Sequence, residues 1–234
     1  MIYADIAELS REVARHFREA AEQAIAARGQ FSCALTGGSA AKAIYGRLAE
    51  EKIDWSRVHL FWGDERMVPY DHADSNFRLA KDTLISKVSI PQGNLHPMPI
   101  DPNDSARHAA EHEAELRRVL GDPPVFDLVH LGMGPDGHVC SLFPGHKLLE
   151  ERKLWVAPIH DSPKPPPNRY TLTLPALFAA RHIWFLVGGA EKAGAAREAI
   201  EDPQSKLPAA IVNRGAAPVT WMMDRAAAGQ LKNA

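Results

Sequence analysis

The sequence predicts an α/β fold, a mostly parallel sheet with helices on both faces. Short strand-like runs at 31–36, 58–62, 125–131 and 182–187 alternate with amphipathic segments of helical length. The run at 125–131 has the pattern of a buried strand, and several runs end in glycine-bearing polar turns. Strand ends of that kind are where open α/β sheets collect ligand-binding groups.

Taken in order, residues 5–28 place Leu9, Val13, Phe17, Ala20, Ala24 and Ile25 at helical spacing, and Gly29 ends that helix. A strand over 31–36 leads through Gly37-Gly38-Ser39 into an alanine-rich helix over 40–51. A second strand, 58–62, runs into the polar loop Gly63-Asp64-Glu65-Arg66. Helices are expected over 76–87 and 104–120, and then the strand at 125–131. Residues 153–159 read as a strand, and residues 161–168, with four prolines, as a surface loop. Extended runs follow at 170–174 and 182–187, then a helix over 190–200 and a last strand at 219–223. With no repeat and no linker composition, the 234 residues are expected to form one domain.

An apolar share of 45% with 24% charged residues excludes a disordered or fibrous class. No apolar run reaches the roughly 18 to 20 residues of a spanning helix, and residues 1–15 lack signal-peptide features. A cytoplasmic protein is expected, working as a monomer or small homo-oligomer. The net charge of −2 gives no general attraction for nucleic acid or an anionic membrane, so any anion must be caught locally. Cys33 and Cys140 form no Cys-x-x-Cys pair, which excludes zinc-ribbon and thioredoxin chemistry. His108 and His112 stand four apart on a helix without a third ligand, so solvated side chains are expected there rather than a metal site.

Three turns carry the candidate chemistry. Thr36-Gly37-Gly38-Ser39 joins a strand to a helix start, where free amides and the helix dipole favour a phosphate. Gly132-Met-Gly134-Pro-Asp136-Gly-His138 matches the glycine spacing of a dinucleotide loop. Pro144-Gly145 closes the segment before a helix could form, which argues against a nucleotide. What remains there is an acid and a histidine one glycine apart at a strand end. Asp64 and Arg66 sit at another strand end, and Arg169 and Lys192 each open a new element as candidate cations.

These residues lie in blocks that closely resemble the 6-phosphogluconolactonase family. The blocks are Leu35 to Ser39, Trp62 to Pro69 with Ser75-Asn76, Leu131 to His138 with Ser141 to Gly145, Asn168 to Pro175, and Gly188 to Lys192. The resemblance implies a Rossmann-like fold and hydrolysis of a phosphosugar lactone, with no metal or redox cofactor. Glucosamine-6-phosphate deaminases share the acid-Gly-His core, but their pattern carries a glutamate where this chain has Phe143. A non-catalytic sugar-phosphate sensor is a third reading; it would normally need an output module, and none is expected here. The expected roles are His138 as general base and Asp136 as its orienting partner. Thr36, Gly37, Gly38 and Ser39 would hold phosphate together with Arg169 and Lys192. Asp64 would meet sugar hydroxyls or water, and Arg66 phosphate or oxyanion.

Overall fold

A computed structural model describes residues 1–232. Its centre is a seven-stranded, wholly parallel sheet built from β1 (Ile2–Tyr3), β2 (Phe31–Leu35), β3 (Val58–Trp62), β5 (Leu95–His96), β6 (Leu128–Leu131), β9 (Ile183–Val187) and β10 (Val219–Asp224). The strand order is β1-β10-β9-β6-β2-β3-β5. From β2 the chain proceeds outward through β3 to β5, and from β6 outward through β9 to β10. The winding therefore reverses between β2 and β6, paired with Ala34 opposite Val129. That boundary is the topological switch point of an open α/β sheet, where loops diverge and leave a crevice.

Helices α1 (Ile6–Arg28), α2 (Ser39–Leu48), α3 (Asn76–Thr83), α4 (Ser105–Leu120), α5 (Leu174–Phe178), α6 (Ala193–Glu201), α7 (Pro208–Asn213) and α8 (Arg225–Ala228) pack around the sheet. The long α1 begins where the Asp5 carboxylate caps Glu8 N–H and ends at Gly29, whose φ of 79° only glycine adopts without strain. Its buried stripe of Leu9, Val13, Phe17, Ala21 and Ala24 follows the helical period, and Phe17 meets Phe31 of β2 edge-on at 5.1 Å. Each such aromatic or leucine removed from water contributes about 1.5–3 kcal/mol.

A second sheet was not legible in the sequence. Residues 64–66, expected as a polar loop, form β4 (Asp64–Arg66), which pairs antiparallel with β8 (Arg169–Leu172); β8 in turn pairs with β7 (Val156–Ile159). The partner of β4 lies some hundred positions away, so local composition carries no sign of the pairing. Helix α3 stops at Thr83 rather than running to 87. The Thr83 hydroxyl bonds back to the Leu79 carbonyl at 2.6 Å, a competitor to helix continuation, and residues 85–87 tighten into a 3-10 turn. Likewise the segment after β9 opens as a 3-10 turn over 190–192 before α6. His112 is not solvated. It falls on the packed face of α4 with Ala109 and Leu116, its Nε2 has no partner, and burial lowers its pKa to about 4.

Asp127, just before β6, fastens the amino ends of the central strands. Its carboxylate accepts the Ser32 amide at 2.9 Å and hydroxyl at 3.0 Å, and pairs with Arg28 at 2.7 Å. Replacing Asp127 by Ala leaves the Ser32 amide unpaired and should lower stability by about 3 kcal/mol. Urea unfolding will show this as a lower midpoint with unchanged slope, and chemistry at the far strand ends should be unaffected.

Candidate active site

The loop after β2 is held from below by Tyr45, whose buried hydroxyl accepts the Thr36 amide at 2.8 Å and donates to the Thr36 carbonyl at 2.9 Å. Gly38 then takes φ 96° to turn the chain into α2, and no side chain caps that helix. Its first-turn amides are left for an anion. Across the switch point, the Gly132 amide donates to Thr36 Oγ1 at 3.0 Å and joins the two loops.

The loop after β6 folds back on itself through Gly134 N–H to the His138 carbonyl at 3.0 Å, and Gly137 N–H to the Gly134 carbonyl at 2.9 Å. This turn brings the Asp136 carboxylate to 2.5 Å from His138 Nδ1. A carboxylate at that nitrogen places the imidazole proton on Nδ1 and leaves Nε2 as the acceptor. Any Cβ at Gly134 would collide with both side chains of the pair, so this close approach requires glycine. The Phe143 ring packs at 4.8 Å from the imidazole and is itself buried. Burial lowers the His138 pKa below 6.5 against the opposing pull of Asp136. Burial alone would raise the Asp136 pKa, but hydrogen bonds from His138 and Lys164 outweigh it and hold the carboxyl at about 2.

The second sheet supplies the facing wall. Asp64 is buried, accepting Ser141 Oγ at 2.6 Å and Asn76 Nδ2 at 3.1 Å. Arg66 donates from Nη1 to the Asp74 carbonyl at 2.6 Å, while its buried Nε has no protein partner. Arg169 is buried with its guanidinium 3.9 Å from Asp64 and 3.4 Å from Ser141 Oγ. Most of its donors are engaged by the proline loop: Nε by the Pro166 carbonyl at 2.9 Å, Nη2 by those of Lys164 at 2.9 Å and Pro165 at 3.2 Å. Its charge faces the cleft, but its fork of donors mainly holds a loop. From that loop Lys164 reaches Asp136 at 3.0 Å. Lys192, after β9, is half-buried, and burial lowers its pKa despite nearby Glu191 and Asp224.

One cleft of about 260 Å³ opens among these groups. Every residue singled out in the sequence except Asp136 lines it, and Asp136 stands behind His138. Asn76, Ser141 and Lys164 belong to the site without having been singled out. The Ser75-Asn76 helix start and the lone cation among prolines were the available signals. Neither says what the side chain faces. A larger groove of about 680 Å³ opens at the opposite strand ends, where Asp127 is paired with Arg28 at 2.7 Å and Arg181 at 3.4 Å. Among the described residues, no cluster of three or more His, Cys, Asp and Glu side chains is arranged to hold a metal ion.

A parallel sheet whose switch point carries open helix amides, three cations and a histidine oriented by a carboxylate defines an α/β protein of the sugar-phosphate-handling class. Residues 4–221 match the family described as glucosamine-6-phosphate isomerases/6-phosphogluconolactonase, and the chain belongs to that family. It is 46% identical over 209 residues to the 6-phosphogluconolactonase of Rattus norvegicus, covering 86% of this chain and 80% of that protein. It is 43% identical over 219 residues to the 6-phosphogluconolactonase of Mycobacterium tuberculosis, covering 89% and 88%. The solved 6-phosphogluconolactonase structure from Trypanosoma brucei superposes with a TM-score of 0.87 at 30% identity, covering 99% of this chain and 97% of that one.

Gly134→Ala should separate Asp136 from His138 while leaving the fold intact. Circular dichroism should be unchanged, and turnover should fall roughly 100-fold, the scale of losing an oriented base.

Proposed function

We propose that the chain hydrolyses 6-phospho-D-glucono-1,5-lactone to 6-phosphogluconate, in the oxidative pentose phosphate pathway. The observation that carries the reading is the packing of Phe143 against a His138 whose Nδ1 is bound to Asp136. An apolar ring at that place supplies no second acid–base group for ring opening and isomerisation of an amino sugar, whereas ester hydrolysis needs only one.

In this reading the substrate phosphate rests on the amides of Gly37, Gly38 and Ser39 and the hydroxyls of Thr36 and Ser39. Lys192 faces it as counter-charge, and Arg169 adds positive potential from behind. Asp64, with lone pairs left after its bonds to Ser141 and Asn76, takes a sugar hydroxyl or orients water. Arg66, which lines the cleft, contacts the phosphate or the oxyanion. His138 Nε2 removes a proton from water as its oxygen bonds to C1, and the carbonyl electrons move to the oxyanion. When that oxyanion collapses, the bond from C1 to the ring oxygen breaks and the proton on Nε2 passes to the leaving oxygen. The product acid then ionises. Asp136 stays ionised and pairs with the transient imidazolium.

We read the chain as a single 1–234 domain working as a monomer or a small homo-oligomer. Two cysteines, both unpaired and buried, fit the reducing cytoplasm. No helix among the described residues is long and apolar enough to cross a membrane.

The test offers fresh 6-phosphogluconolactone and, separately, glucosamine 6-phosphate, with spontaneous hydrolysis subtracted. Acceleration of only the first is expected, and ammonia release from the second would replace this reading with deamination. Binding without turnover of either would point to a sensor. His138→Ala should lose at least 100-fold in kcat while still binding 6-phosphogluconate. Because His138 must be neutral and its pKa is lowered, kcat/KM should be flat at neutral pH and fall only below pH 6.5.

A further inference from the structure

The proline loop at 161–168 is tied down from several sides. The Lys164 carbonyl accepts two donors, Arg169 Nη2 at 2.9 Å and Ser162 Oγ at 2.8 Å, and Ser162 Oγ also accepts the Lys164 amide at 3.2 Å. The Ser162 amide closes the loop onto the Pro167 carbonyl at 3.2 Å. Arg169, which anchors this loop, is itself fixed in the wall of the cleft by Ser141 and lies 5.7 Å above the Phe143 ring. The backbone of Lys164 is thus positioned by the same groups that shape the site. Its ammonium lies 3.0 Å from Asp136 Oδ2 and 3.3 Å from His138 Nδ1. Nδ1 already donates to Asp136 Oδ1, so the ammonium cannot also donate to it. The carboxylate takes the imidazole on one oxygen and the lysine on the other.

We propose that Lys164 is a positioning residue for the general base, locking the Asp136 carboxylate in the rotamer that holds His138 and setting the basicity of the imidazole. This rests on the lactonase reading for its kinetic consequence, but its geometry does not. The groups facing His138 are Asp136 on its own loop, Lys164 on the proline loop and Asp64 on β4, with Phe143 as the apolar neighbour. Arg66, Arg169 and Lys192 stand around the same cleft. Of these, Lys164 is the cation in contact with the pair, and its charge opposes protonation of the ring. Lys164 is itself 39% exposed, and a lysine there without the contact to Asp136 would leave the imidazole titration unchanged.

The experiment follows the His138 ring by 15N–1H NMR in the full chain, its signal identified by its loss in His138→Gln. In Lys164→Met the titration midpoint should rise by about one pH unit, and Lys164→Arg should restore most of it. The acid limb of kcat/KM should move up in step. At a pH where the ring is neutral in both proteins, kcat should still be lower, roughly tenfold, with KM within about threefold. Lys164→Gln gives the same readout if the methionine variant does not fold. An unmoved midpoint in a folded variant overturns the proposal, as does a midpoint that moves equally in Lys164→Arg. A shifted midpoint in a protein that hydrolyses no lactone upholds it and removes the lactonase reading instead.

Discussion

The pairing of β2 with β6 is the constraint on which the site depends. These strands stand side by side, with Ala34 opposite Val129, yet the chain leaves them in opposite directions across the sheet. Their following loops must diverge, and the space between them becomes the cleft. One bond, from the Gly132 amide to Thr36 Oγ1, fixes how far apart the two loops sit. The uncapped amides of α2 and the acid–histidine pair are therefore held at a set separation by a rigid sheet, which is what the proposed grip on a substrate at one end and attack at the other require.

The second sheet completes the cleft in a different way. β4 and β8 pair antiparallel, so Asp64 stands opposite Thr171 and Arg66 opposite Arg169. Two arginines facing each other across a ladder would repel if both were free. Arg169 is instead surrounded by oxygen atoms, three loop carbonyls and Ser141, with the Asp64 carboxylate 3.9 Å away. Burial lowers its pKa, yet a guanidinium so surrounded remains charged. A lysine could not hold those three carbonyls from one planar fork. Arg169 therefore couples the wall of the cleft to the loop that brings Lys164 to Asp136.

Much of this was legible in the sequence because it is encoded locally. The parallel core, the α1 stripe and the glycine turns after β2 and β6 follow from apolar period and strand-end composition. The sequence also placed Asp136 and His138 at one strand end, but contact between them across Gly137 needed a turn geometry that composition does not carry. The same holds for everything that depends on pairing over long distance. Residues 64–66 look like a solvated loop until β8, a hundred residues later, turns them into a strand. Arg169 reads as a free cation until the proline loop occupies its donors. Lys164 has no sequence context that points to Asp136, because the contact is made by the folding of the loop and not by spacing. His112 shows the reverse error: its helical position already placed it on the face of Ala109 and Leu116, and the apolar period outranked its polarity.

The electrostatics of the pair also bear on both its proposed catalytic role and its part in stability. Asp136 has its pKa depressed from 3.8 to about 2, so the stability it contributes is present above pH 3.8 and is lost as pH falls toward 2. His138 has its pKa lowered from 6.5, so its protonation in the folded state lags behind that of the unfolded chain, and falling pH below 6.5 works against the fold as well as the base. Because the Asp136 carboxyl is held at about 2, the ring takes up a proton beside a carboxylate that is ionised. That is the ion pair the proposed mechanism forms transiently during turnover. A carboxylate that took the proton itself would break that pair, and a pKa of about 2 prevents it. Burial beside Phe143 makes the free imidazole reluctant to charge, and Asp136 makes the charged one tolerable. The general base proposed here, neutral before the reaction and cationic during it, needs both.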